Sequence, residues 1–317
     1  MSAQQKSGPR ILRVTAEESG QRLDNFLLRH IRGVPKTRVY RAIRKGEVRV
    51  NKGRSRPEYK VLDGDEVRIP PLSEGITQST DRPSLAWERR IRASIISETS
   101  DFFAINKPPG LAVHGGSGVR LGLIESLRRL FPEQRYMELV HRLDRDTSGL
   151  VLVAKNARTL RELHEQLRTD RIDKRYLALV AGKWPAYRTS VAAPLAKHHT
   201  ASGERIVKVD VNGKASETQF RVLERLPGAT LIEAKPITGR THQIRVHTQH
   251  SGHPILGDTK YETELSARCA VSAPVRRLFL HAGALSFTLK GVKTSLACPL
   301  SEELEAVLDF FRQQRQR

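Results

Sequence analysis

Apolar positions in the first part of the chain recur at helical spacing. Leu23, Phe26, Leu27 and Ile31 form one stripe, the spacing of a helix that buries a single face. Val34-Pro35-Lys36-Thr37 breaks that pattern and restarts it, with Thr37 in an N-cap position. On the second helix Val39, Ala42 and Ile43 face inward, Arg38, Arg41, Arg44 and Lys45 face outward, and Gly46 supplies the stop. Two short strands follow, at 48–50 and 66–69, with turns at Asn51-Lys52-Gly53 and Asp63-Gly64-Asp65. The run from Pro71 to Pro83 is polar, contains Gly, Pro, Ser and Thr, and reads as a linker.

Beyond Ile95 the period shortens to that of strands. Phe102-Phe103-Ala104-Ile105-Asn106 ends in a Pro-Gly turn, and Leu150-Val151-Leu152-Val153-Ala154 is apolar throughout, as a strand buried on both faces requires. Further strands are expected at Lys174–Val180, Val207–Val211, Phe220–Leu223 and Thr230–Ala234. Helical spacing returns at Leu160, Leu163 and Leu167, after a start at Asn156, and again over Leu304–Phe311. The pattern predicts mixed α and β elements with no internal repeat, and the length suggests two domains. The expected divisions are a disordered lead over 1–19, a small basic unit over 20–70, a linker over 71–88 and a larger domain over 89–317.

Charge narrows the partner. The 317 residues carry 55 Lys+Arg against 34 Asp+Glu, a net charge of +21 and a sequence pI near 10.5. Residues 21–70 alone hold 14 Lys/Arg and 6 Asp/Glu. A field of this sign and size attracts a polyanion, with nucleic acid first and an acidic membrane surface second. No apolar run approaches the ~20 residues of a spanning helix, and the first ten residues contain no apolar segment of the kind a secretory signal needs. Cys269 and Cys298, the only cysteines, form no metal or redox spacing. These features predict a cytoplasmic protein.

Two segments concentrate candidate chemistry. In His141-Arg142-Leu143-Asp144-Arg145-Asp146-Thr147-Ser148-Gly149, two carboxylates sit among basic side chains directly before the apolar strand. On its own this reads as a salt-bridged turn. In Thr238-Gly239-Arg240-Thr241-His242-Gln243-Ile244-Arg245-Val246-His247, Arg240 and Arg245 supply positive charge that cannot titrate away. His247, His250 and His253 permit a metal reading, although neither a His-Glu-x-x-His pair nor a nearby cysteine accompanies them. His114-Gly115-Gly116-Ser117-Gly118 is glycine-rich but lacks the Gly-Lys-Ser/Thr ending of a P-loop, and is expected to be a flexible loop near the site. No Gly-x-Ser-x-Gly elbow is present.

Three pieces in order, His141-Arg142-Leu143-Asp144 with Thr147-Ser148-Gly149, then Lys174-Arg175-Tyr176, then Gly239-Arg240-Thr241-His242-Gln243-Ile244-Arg245, resemble the signature motifs of RluA-type pseudouridine synthases. That resemblance spans roughly 95–311. The basic unit before it resembles an S4 RNA-binding domain. The fold implied is a small S4-like α+β domain followed by a mixed, mainly antiparallel-sheet catalytic domain with its active site in a cleft. The activity implied is isomerisation of uridines in 23S ribosomal RNA, without cofactor or metal, by a monomer.

The resemblance also assigns roles. It places the essential aspartate at Asp144, acting by attack on C1′, attack on C6 or removal of a proton from C2′. All three routes need an ionised carboxylate, which a neighbouring guanidinium favours. Arg245 matches that ion-pair partner, with Arg240 second. Tyr176, 32 positions after Asp144, matches the tyrosine that stacks on the target base, and Arg142 the residue that fills the gap left by the flipped nucleotide. Arg38, Arg41, Arg44 and Lys45 become RNA contacts, while Asp146 is left with a structural duty. Two other readings stay open: a non-catalytic RNA-binding or assembly factor with a degenerate core, and a metal-dependent hydrolase at His247, His250 and His253.

Overall fold

The computed structural model describes residues 8–16, 18–31, 34, 36–71, 84–115, 121–200, 204–271 and 273–314. The chain divides into two compact units, Met1–Ala86 and Trp87–Arg317. In the first, β1 (Arg10–Arg13) precedes α1 (Leu23–His30), α2 (Lys36–Arg44), β2 (Arg49–Val50) and β3 (Glu66–Ile69). The stripe of α1 and the inward face of α2 are buried as their spacing requires: Leu23, Phe26, Leu27, Val39, Ala42 and Ile43 share one core with Val61, Val67 and Ile69. Gly46 ends α2 with φ +69°, a conformation that costs glycine little. Buried Asp24 locks the helix pair, because it accepts from Arg22 at 2.6 Å and from the Tyr40 hydroxyl at 2.7 Å.

One sequence expectation fails here. The lead over 1–19 was expected to be disordered, yet Arg10–Arg13 is a strand that pairs antiparallel with β3 and makes the sheet three-stranded. Its Ile11 is exposed and Leu12 only partly buried, so no alternation marks it; backbone pairing to β3 defines it. Residues 1–7 lie outside the described residues. Thr37 falls inside α2 rather than at its cap. Of the expected linker, 72–83 lies outside the described residues, and α3 (Leu85–Ala93) starts before the linker was expected to end.

After α3 the second unit runs β4 (Ile95–Glu98), β5 (Phe102–Lys107), α4 (Leu123–Leu130), β6 (Glu138–Leu139), β7 (Ser148–Ala154), α5 (Ala157–Arg168) and β8 (Asp173–Ala181). It continues with β9 (Ser190–Ala192), β10 (Leu195–His199), β11 (Arg205–Val209), β12 (Glu217–Leu226), β13 (Ala229–Pro236), α6 (Gln243–His250), α7 (Glu264–Ala270), β14 (Leu280–Leu289), β15 (Val292–Ala297) and α8 (Glu302–Gln314). Eight strands form the sheet path β4-β5-β7-β14-β8-β13-β12-β9, with β6 beside β7 and β15 beside β14; β10 and β11 form a separate hairpin. Among the described residues only β7 and β14 are parallel neighbours, so the sheet is mixed and mainly antiparallel.

Every residue of β7 is buried, which explains its uninterrupted apolar sequence. Asn156 caps α5 by accepting from the Thr159 N–H at 2.8 Å. Leu163 of that helix is in the core, while Leu160 and Leu167 pack at its edge. The register then builds a cross-strand row: Lys107 pairs with Gly149, Gly149 with Ala282, Ala282 with Tyr176 and Tyr176 with Ala234. Paired residues share a face, so Tyr176 is flanked by two alanines. Gly149 has φ +108°, and a Cβ there would lie 2.4 Å from the Ala282 carbonyl oxygen. Only glycine lets β7 and β14 approach this closely.

Candidate active site

The first dense motif forms the loop between β6 and β7. Its backbone is tied down at both ends. Val140 N–H donates to the Leu152 carbonyl at 3.0 Å, and Thr147 N–H closes a turn on the Asp144 carbonyl at 3.2 Å. The side chain of His141 holds the same strand, because its Nε2 accepts from the Leu152 N–H at 3.2 Å. Burial, reinforced by the charge of Lys174, pushes the His141 pKa down to about 4. Ser148 is buried and hydrogen-bonded to His281 Nδ1 at 2.9 Å, while His281 Nε2 meets the Cys298 carbonyl at 3.1 Å. Strand β14 therefore anchors the motif from behind.

Beneath the loop lies Lys107, which is fully buried. Its ammonium donates to the carbonyls of Pro108, Leu111 and Arg145 at 2.9, 2.9 and 3.0 Å. Three acceptors match the three N–H bonds of an ammonium group. Burial pushes its pKa down to about 7, against the opposing charges of Asp146 and Asp144. The bond to Arg145 fixes the backbone one residue after Asp144. Asp146 itself pairs with Arg145 at 3.2 Å on the exposed side of the loop.

The Asp144 carboxylate opens into a cleft of about 510 Å³, within the range of roughly 300–1,000 Å³ for small-ligand sites. Tyr176, Arg142, Arg240, His242, Arg245 and Leu280 are among its lining residues. Tyr176 projects from β8, half-buried. Its phenol pKa is raised by burial and by the charge of Asp144. Arg142 is exposed at the cleft. The structure thus brings Asp144, Tyr176, Arg142, Arg240 and Arg245 to one place from three separated stretches of sequence.

The second dense motif divides its labour. Gln243 and His247 anchor the motif to the fold: Gln243 Nε2 donates to the Glu217 carbonyl at 2.8 Å, and its Oε1 accepts from the Arg240 N–H at 3.0 Å. His247 is fully buried, with Nδ1 on Thr218 at 2.9 Å and Nε2 on Ser216 and the Ala193 carbonyl at 3.0 and 3.1 Å. Arg245 and His242 face Asp144. Arg245 Nη1 and His242 Nε2 each lie 4.0 Å from Asp144 Oδ2. His242 is the residue before α6, with φ +54°. Its pKa is lowered by burial, which outweighs the attraction of Asp144.

Among the described residues Asp144 is the longer of two ion-pair contacts of Arg245. Its guanidinium makes a two-pronged contact with Asp258, Nε to Oδ2 and Nη2 to Oδ1, both at 2.7 Å. Burial opposes the guanidinium charge, yet the bonds to Asp258 hold the Arg245 pKa above its ordinary value. The same carboxylate accepts from the N–H groups of Lys260 and Tyr261 at 3.1 and 3.2 Å. Arg245 also lies over the Tyr261 ring, 5.0 Å from its centroid. Sequence reasoning missed Asp258 and Tyr261, which carry no motif, and left His242 and Lys107 without roles. A buried carboxylate facing an arginine of the motif is a tertiary signal, absent from the local pattern.

The remaining expected residues are placed as follows. Arg240 is exposed, and its Nε donates to the Ala215 carbonyl at 3.1 Å; it is not an ion-pair partner of Asp144. In the other unit Arg41 and Arg44 are exposed on α2 and Lys45 is exposed just after it, while Arg38 pairs with Glu47 at 2.9 Å. Among the three histidines of the metal reading, His247 is bonded into the protein as described, His253 Nδ1 meets the Ala181 carbonyl at 2.8 Å, and His250 is exposed. Of the glycine-rich loop only His114 and Gly115 are within the described residues. Gly115 N–H donates to Glu125 at 3.0 Å.

Comparison with known proteins assigns both units. A family model described as RNA pseudouridylate synthase matches residues 101–250, and an S4 domain model matches 21–67. The chain is 51% identical over 311 residues to the ribosomal large subunit pseudouridine synthase C of Escherichia coli K12, covering 96% of this chain and 98% of that protein. The Haemophilus influenzae protein of the same name is 48% identical over 314 residues, covering 98% and 97%. Among solved structures, human RNA pseudouridylate synthase domain containing 4 superposes with a TM-score of 0.58 at 26% identity, covering 72% of this chain and 96% of that one.

Proposed function

Since the chain belongs to the RNA pseudouridylate synthase family, we propose that it isomerises uridines of 23S ribosomal RNA to pseudouridine, with Asp144 as the reacting carboxylate. The enzyme is an isomerase. The N1–C1′ bond breaks, the uracil turns, C1′ joins C5, the C5 proton leaves and N1 gains a proton. Atoms and electrons balance within the nucleotide, so no oxidant or reductant is required. The relatives named above are synthases of the ribosomal large subunit, and their near full-length identity supports the same RNA here.

The observation that carries the assignment is the convergence on one cleft of Asp144, Tyr176 and the Arg245 guanidinium. Asp144 is pinned through the Arg145 carbonyl, so its carboxylate is presented without having to be ordered when the nucleotide arrives. Tyr176, between two alanines, offers a face on which a flipped uracil stacks. Arg142, exposed at the cleft, is placed to fill the space the nucleotide leaves. Arg142, Arg168, Lys174, Arg240 and Arg245 make the lining of that cleft basic. Whether the carboxylate attacks C1′ or C6 or takes the C2′ proton, it acts from this position.

The exposed Arg41 and Arg44 of α2 and Lys45 just after it, with Arg38 beside them, supply a sequence-independent attraction for RNA phosphates. Among the described residues no helix is long and apolar enough to cross a membrane. We place the protein in the cytoplasm, acting as a monomer without metal. The deciding experiment is Asp144→Asn, assayed by uridine isomerisation in 23S rRNA transcripts. Loss of turnover with RNA binding kept is expected; retained turnover refutes the assignment. A non-catalytic assembly factor would bind RNA but leave uridine unchanged in the wild-type protein as well.

A further inference from the structure

The second neighbour of the Asp144 carboxylate, His242, is tied to a line of hydrogen bonds that sets its protonation. Val207 N–H donates to the Tyr261 hydroxyl oxygen at 3.0 Å, and that oxygen lies 2.7 Å from His242 Nδ1. The hydroxyl has one proton to place. Among the described residues the one acceptor in reach of it is His242 Nδ1, so the hydroxyl donates there. A neutral imidazole that accepts at Nδ1 carries its own proton on Nε2. Nε2 is the atom that faces Asp144 Oδ2, 4.0 Å away.

The surroundings favour the neutral ring. Burial and the nearby charges of Arg245 and Lys260 act against an imidazolium, with Asp144 and Asp258 opposing them. Glu204 lies close enough to feel His242 as well. Tyr261 is itself held: it is 2% exposed, packed with Leu195, Val207 and Val246, and stacked edge-on to the His242 ring at 5.5 Å. A side chain fixed this firmly leaves the imidazole no freedom to exchange its two nitrogens.

We propose that His242 is a positioning residue for Asp144: a neutral imidazole whose tautomer is set by Val207 and Tyr261, so that an Nε2–H donor shares with Arg245 the task of orienting the Oδ2 atom. The inference rests on the reading of Asp144 as the reacting carboxylate. At 4.0 Å the donor does not grip the free carboxylate. It completes a hydrogen bond, directly or through one water, when the carboxylate moves toward the nucleotide. Arg245 supplies charge and His242 supplies direction.

The test compares two substitutions in the full-length enzyme. Gln places an amide N–H about where Nε2 sits, whereas the shorter Asn reaches only the place of Nδ1. His242→Asn is expected to lower kcat about 10- to 100-fold with KM unchanged, the range for a hydrogen bond to a charged group; His242→Gln is expected to restore most of that loss. Backbone strain predicts the opposite order, because φ +54° suits Asn better than Gln. Equal activity of the two variants, or Asn above Gln, overturns the proposal. Nitrogen-15 spectra of the histidine rings give a readout independent of turnover: wild type should show the Nε2–H tautomer for His242, and Tyr261→Phe should raise the pH at which it protonates. An imidazolium or an Nδ1–H ring in wild type at neutral pH overturns the proposal too. In the His242→Gln background, Tyr261→Phe should cost no further kcat, since Gln has no tautomer to set. If Asp144→Asn keeps its turnover, it is the reading of Asp144 that fails, and the spectra still report on the ring.

Discussion

Replacing Asp258 by Ala tests the least expected feature of the site, that the guanidinium beside the reacting carboxylate is owned by another acid. Asp258 is fully buried at its side chain and Arg245 nearly so, at 0% and 6% exposure. Removing one member of such a pair leaves an uncompensated charge and costs about 3–5 kcal/mol of stability. The Lys260 and Tyr261 N–H groups lose their acceptor at the same time. The nearest remaining anion for Arg245 is Asp144, at 4.0 Å. Contraction of that pair to about 2.8 Å, at an effective dielectric of about 20, strengthens the attraction by about 2 kcal/mol. The carboxylate must give up that energy before it can approach the sugar, so kcat is expected to fall about twentyfold. Stability can be followed in urea by tryptophan fluorescence, because both tryptophans, Trp87 and Trp184, lie in the catalytic unit. A variant that loses less than about 1 kcal/mol and turns over at the wild-type rate refutes the argument.

Three further outcomes are expected. Tyr176→Phe keeps the stacking surface and should leave RNA affinity unchanged while turnover falls; wild-type behaviour in both would remove the hydroxyl from the chemistry. The His141 pKa is about 4 in the fold against an ordinary 6.5. The unfolded chain therefore binds the extra proton first, and stability present above pH 6.5 is lost as pH falls toward 4, by up to about 3 kcal/mol. His141→Gln should flatten that slope in denaturation curves recorded across the window, and an unchanged slope would refute it. Changing Arg41, Arg44 and Lys45 together to Ala should weaken binding to 23S rRNA and lower the slope of log K against log salt by about 2–3; an unchanged slope would show that α2 does not meet phosphate.

Local pattern alone specified much of this protein. The stripes of α1, α2 and α5 and the apolar run of β7 follow from side-chain periodicity, which acts over a few residues. The motifs around Asp144, Tyr176 and Arg245 were legible as a set through their resemblance to a family, and the fold brings all three to one cleft. Short edge strands were not legible: Arg10–Arg13 has no alternation, and only pairing with β3 defines it.

What the tertiary structure alone decided is who touches whom. Sequence offered Arg245 as the ion-pair partner of Asp144; the fold keeps that pair at 4.0 Å and adds a bidentate contact at 2.7 Å with Asp258. It offered three histidines as a cluster, but His247 is turned into β12 by Thr218 and His250 stays at the surface. It left His242 without a task, although the fold sets its Nδ1 2.7 Å from the Tyr261 hydroxyl and its Nε2 toward Asp144. The reason is physical. Periodicity and turn chemistry are local, whereas a buried charge is balanced by whichever partner the fold delivers, and hydrogen-bond direction depends on every donor and acceptor at that point.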